Sequence, residues 1–154
     1  MTILSSDNVI TSIENYNFDD IEPFTLVIAD WNTNLRFFEL IWDGIQKHFT
    51  ELPLEPKIWS SSTLYSEVMK KERLQWFEDL KAENKFDSKA MLNFHKTAGK
   101  GNLDYGVIMD RHYVKTTSIT QVEKFEDAVE MRFQNIQNKT ISEKTFKPQQ
   151  TVNE

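Results

Sequence analysis

The sequence contains no cysteine. That absence removes disulfide bridges, a thiolate nucleophile and every cysteine-based zinc site together, and leaves packing to hold the fold. Such a chain suits a reducing compartment, and the cytoplasm is the expected location. Histidine is scarce, at three residues, and no two of them are spaced as a helix-borne metal pair would be. No metal and no other cofactor is therefore expected. No apolar run approaches the ~20 residues that a membrane helix needs. The opening residues, MTILSSDNVITSIENYNFDD, have neither the basic start nor the apolar centre of a secretory signal. A soluble protein with no membrane partner is expected.

Glycine and proline are also few, at four each. Three of the glycines, Gly99, Gly101 and Gly106, fall in the stretch Lys89–Thr120, which also holds His95 and His112. The hydrophobic period changes within this stretch, from helical before Gly99 to strand-like after Tyr105.

What is plentiful is aromatic. Eleven Phe and four Trp sit among 39% hydrophobic residues, enough for a core in a chain near the common domain size. A single globular domain over residues 1–147 is expected, followed by a polar, disordered tail over 148–154. The net charge of −6 is unevenly spread: residues 1–84 carry seven basic and fifteen acidic groups, residues 85–118 six and three. An acidic total repels nucleic acid at long range, while the locally basic segment could hold one phosphate or an acidic surface.

In chain order, Phe24–Trp31 reads as a strand, apolar on both faces and so central to a sheet. Asn34 can cap a helix over Leu35–Glu51, in which Leu35, Phe38, Ile41, Trp42, Ile45 and Phe49 recur at helical spacing. His48 then lies at the end of that helix. Pro53 and Pro56 end it, and Lys57–Ser60 reads as a short strand. A second helix follows over Leu64–Asn84, capped by Ser61, Ser62 or Thr63, with Tyr65, Val68, Met69, Trp76, Phe77 and Leu80 on its apolar face. A third starts at an Asp87 cap and stops at Gly99, a natural left-handed residue, with Met91, Phe94, His95 and Ala98 on one face. Tyr105–Asp110 and His112–Gln121 read as strands. Val122–Phe125 and Ala128–Phe133 form a hairpin, and Thr140–Phe146 a last strand. The expected class is α+β, with two to three N-terminal helices packed on an antiparallel sheet formed mainly by a C-terminal meander.

Gly99-Lys100-Gly101 does not form a phosphate loop, because such loops precede a helix and these glycines follow one. Two function classes remain. The first is a small acidic protein that binds another protein without catalysis, as an inhibitor, immunity-type protein, adaptor or subunit, with Lys100, Tyr113 and Lys115 as binding residues. The second is a metal-independent ribonuclease. Its histidines His95 and His112 would serve as base and acid, Lys96, Lys100, Arg111 or Lys115 would hold the phosphate, and Tyr113 or Phe94 could stack a base. Only this second reading calls for nucleic acid as a partner.

Overall fold

A computed structural model describes residues 8–31, 33–61, 63–83 and 86–147. The expectations that fall on Asn32, Ser62, Asn84 and the tail from Pro148 lie outside these residues. The chain divides into two compact units, Met1–Lys57 and Ile58–Glu154. Among the described residues there are three helices and two three-stranded antiparallel sheets, an α+β arrangement. The two longer helices stand between the sheets in chain order rather than before them. No helix among the described residues is long and apolar enough to cross a membrane.

The first unit begins with α1 (Val9–Asn15), whose N-cap Asn8 accepts a hydrogen bond from the Thr11 amide at 3.1 Å. Three strands follow, β1 (Phe24–Asp30), β2 (Arg36–Trp42) and β3 (Lys47–Leu52), in the order β1-β2-β3. The helix expected over Leu35–Glu51 is therefore a hairpin, and the reason is readable in the residues. Phe38, Leu40 and Trp42 alternate, and they are the buried ones. Ile41 lies on the opposite face, and Ile45, a member of the supposed helical stripe, is 83% exposed at the turn. Asp43-Gly44 makes that turn. The Asp43 carboxylate accepts the amides of Ile45 and Gln46 at 2.8 and 2.7 Å, and Gly44 takes φ +95°, which glycine adopts without a Cβ penalty. His48 consequently stands on β3 and bonds Asp43 through Nε2 at 3.1 Å, instead of ending a helix. Among the described residues β1, expected to be central, pairs only with β2 and lies at the edge.

The core of this unit joins Ile13 and Phe18 to Ile28, Phe38, Leu40 and Trp42. Lys47 ties α1 to the sheet by donating to the carbonyls of Ile13 and Glu14 at the helix end, where a cation meets the negative end of the dipole.

The turn has a pH signature. The Gln46 amide first, then the His48 ring and the Ile45 amide, hold the Asp43 carboxyl down at about 2. A group whose folded-state pKa is depressed contributes stability above its unfolded value, and that contribution is lost as pH falls through the folded one. The loss therefore falls in the window from the ordinary carboxylate value near 4 down to about 2. Acid titration of the hairpin amides by NMR should show Asp43→Asn flattening the stability curve in that window.

In the second unit, α2 (Glu67–Ala82) starts at Ser66, whose Oγ accepts the Met69 amide at 3.4 Å. The cap therefore lies beyond Ser61–Thr63, and Lys57–Ser60 forms no strand. α3 (Ser88–Thr97) begins at Asp87, whose carboxylate accepts the Ala90 amide at 2.7 Å, and is followed by left-handed Gly99 at φ +65°. Phe77 on α2 fixes the pair, meeting Phe86 and Phe94 edge-on at 5.7 and 5.9 Å. Val68, expected on the apolar face of α2, is 74% exposed.

The meander is present as β4 (Ser118–Lys124), β5 (Val129–Asn135) and β6 (Ile141–Phe146), in that order. Tyr105–Asp110 is not a strand, and the chain from Tyr105 to Thr117 holds only one isolated bridge, Asp110 to Lys115. Side chains satisfy the backbone of this loop in place of a ladder. Asn102 accepts the amides of Asp104 and Tyr105 at 3.0 Å each. The Thr116 hydroxyl donates to the Val107 carbonyl and accepts the Met109 amide. Polar side chains of this kind compete with sheet pairing.

Candidate functional site

The long loop between α3 and β4 carries most of the residues singled out from the sequence. His95 lies one turn earlier, near the end of α3, and is exposed rather than packed in a core. Its Nδ1 sits 2.8 Å from the Met91 carbonyl. A carbonyl only accepts, so Nδ1 carries the proton and the neutral ring keeps its lone pair at Nε2. Of the expected face Met91, Phe94, His95 and Ala98, only Phe94 is buried. His95 lines a groove of about 280 Å³ between α3 and β4, together with Met91, Leu92, Ile119 and Glu123.

Lys96 and Lys100 are exposed at the end of α3 and in the turn after it. His112 and Tyr113 form the tip of the loop. His112 takes φ +68°, a left-handed conformation uncommon outside glycine, and its amide donates to Asp110 at 2.9 Å. Tyr113 is 85% exposed. Lys115 pairs with Asp110 at 3.1 Å, and the His112 amide first and Lys115 second hold that carboxyl below its ordinary value. None of Lys96, Lys100, Arg111, His112, Tyr113 and Lys115 lines the groove at His95.

Arg111 is engaged as a brace. Nε donates to the Asp104 carbonyl, Nη1 donates to the Leu64 carbonyl at 3.2 Å, and the guanidinium lies 5.7 Å from the Tyr65 ring. A second brace was not legible beforehand. Arg73 on α2 donates to the Tyr105 carbonyl at 2.7 Å and to Ser60 at 3.2 Å, and stands 4.5 Å from the same ring. Two arginines thus clamp the loop on Tyr65, with carbonyls rather than carboxylates as acceptors. No sequence motif announces such an arrangement.

The meander supplies the feature that sequence reasoning missed. Strand register puts Val122, Met131 and Lys144 in one row, with Thr120, Phe133 and Ser142 on one side of it and Lys124, Val129 and Phe146 on the other. Directly paired residues share a sheet face. On this face Val122 is 58% exposed, Phe146 44%, and Met131 and Phe133 39% each. It holds two lysines and no carboxylate. The strand carboxylates Glu123, Glu130 and Glu143 occupy the opposite face. That opposite face is the one turned to α3, where Ile119 is buried and Gln121 donates to the Ser88 carbonyl at 2.7 Å. Apart from Ile119 and Ile141 that face is polar, while the other large apolar side chains of the strands, Val122, Met131, Phe133 and Phe146, stand on the face turned away from α3. The alternation of Val129, Met131 and Phe133 signalled an apolar face but not that it would stay uncovered.

Among the described residues no three His, Asp or Glu side chains converge as a metal site would require. No family model, no curated protein and no solved structure matches this chain.

Proposed function

We propose that the protein acts by binding another protein in the cytoplasm, without catalysis, and that the uncovered face of the meander is the binding surface. The observation that carries this reading is the sheet, with exposed Val122, Met131, Phe133 and Phe146 on one face and the carboxylates on the other. A contiguous apolar face rimmed by polar groups is the common mark of an interaction site. Phe and Met supply area that is cheap to order and rewarding to bury. Lys124 and Lys144 without a carboxylate on the same face favour a partner surface that is apolar with acidic groups at its edge.

The net charge of −6 gives no long-range attraction to such a partner. Affinity then rests on burial and short-range pairing, and the complex should persist at high salt, which screens exposed charges.

Co-purification from the cells that make the protein tests the reading. Wild type should retain one partner in low and in high salt, Phe133→Glu should lose it, and Thr145→Glu on the other face should keep it. Equal retention by the two variants, with both folded by circular dichroism, contradicts the assignment of this face.

A further inference from the structure

We infer that the groove between α3 and β4 binds a small amine with a compact apolar body. The groove lies between α3 and β4 and is bordered from both faces of β4, Thr120 and Val122 included, so Phe133→Glu serves to separate it from the proposed protein-binding surface.

The argument begins with the walls. Met91 and Leu92 on α3 and Ile119 on β4 line a space of about 280 Å³. That is close to the lower end of the ~300–1,000 Å³ typical of small-molecule pockets. The polar groups that line it with them include Glu123 and His95. Both offer acceptors. His95 bonds Met91 through Nδ1, so its neutral ring has an accepting lone pair at Nε2. Glu123 is half-buried, and its carboxylate has no hydrogen bond or ion pair among the described residues.

Glu123 also faces a like charge. Glu123 stands directly opposite Glu130 across the β4–β5 ladder, on the same face. Like charges in a directly opposed pair destabilise a sheet. Arg132, the cation that the strand register puts on that face, pairs instead with Glu143 at 3.0 Å. An ammonium group seated at Glu123 would relieve the repulsion and donate to the carboxylate, while its carbon body covers Met91, Leu92 and Ile119. An anion would meet the two carboxylates, and a neutral alcohol would gain neither the ion pair nor the relief. Charge complementarity therefore selects the amine.

Benzylammonium, benzyl alcohol and phenylacetate are suitable probes, applied to the full chain above the imidazole titration range. Binding is followed through NMR shifts of the Met91 methyl and the Ile119 methyls. Benzylammonium should bind saturably, and Glu123→Gln should weaken it by about tenfold, the scale of a lost hydrogen bond to a charged group. Because Glu123→Gln removes a like-charge pair, it should fold at least as stably as wild type, so its loss of binding can be read directly. Phe133→Glu should leave amine binding unchanged. Equal binding of benzyl alcohol and benzylammonium, unchanged affinity in Glu123→Gln, or no saturable shift at Met91 would each overturn the proposal.

Discussion

Phe38→Ala is expected to lower the stability of the N-terminal unit by about 3–5 kcal/mol, the usual range for removing a buried aromatic ring. Phe38 is 1% exposed on the central strand β2, stacks on Phe49 at 5.2 Å and lies beneath the Arg36 guanidinium at 4.8 Å. The side chain also joins Ile28 across the ladder to the core that α1 covers. Ile45→Ala is the informative companion. A helix over Leu35–Glu51 would place Phe38 and Ile45 on one buried stripe, with both truncations damaging. The hairpin leaves Ile45 83% exposed, so its truncation should change stability by no more than about 0.5 kcal/mol. Denaturant unfolding, read by amide exchange of the β2 residues, separates the two cases.

Gly106→Ala is expected to have an effect of similar size, about 3 kcal/mol or more, at the upper end of what overpacking produces. A Cβ at Gly106 would lie 2.5 Å from the Asn102 carbonyl oxygen and 2.7 Å from that of Gly99. Both are backbone atoms and neither can step aside. The amide of Gly106 donates to the same Asn102 carbonyl at 3.0 Å, and Val107 donates to Ala98 at 3.1 Å. Separating them would pull the loop from the end of α3 and undo the contacts of Arg73 with Tyr105. Gly101→Ala serves as the control. Gly101 has φ +88° but nothing within 4 Å of the added carbon, so only the backbone penalty of roughly 1–2 kcal/mol applies. Thermal unfolding of the two variants should rank them accordingly.

The C-terminal half was the more legible part of the sequence. Asp87 as a cap, Gly99 as a helix stop and the strands β5 and β6 follow from local signals that the tertiary structure leaves intact, while β4 joins the end of the expected strand His112–Gln121 to Val122–Lys124. The region Leu35–Glu51 failed because its apolar residues satisfy both periods. Phe38, Ile41, Trp42, Ile45 and Phe49 fit a helix, while Phe38, Leu40 and Trp42 fit a strand. The Asp43-Gly44 turn decided between them. Tyr105–Asp110 failed for another reason. Its β-forming residues are real, but Asn102 and Thr116 occupy the backbone groups that a ladder would use.

The candidate site was legible only as a location. The sequence marked the basic loop, and the structure places His112 and Tyr113 exposed at its tip. It could not reveal that Arg111 would be spent on the Asp104 and Leu64 carbonyls, since that depends on where α2 begins. Nor could alternation in β5 say which face α3 covers, because a period of two names two faces without ranking them.

The most direct measurement is photocrosslinking in cells from one position on each face of the meander. A benzophenone side chain is introduced at Val122, 58% exposed on the apolar face, or at Thr145 on the carboxylate face. Protein binding through the apolar face predicts one discrete crosslinked partner from Val122, none from Thr145, and loss of the Val122 product when Phe133→Glu is added. Crosslinks of equal yield from both positions, or from neither, would contradict it.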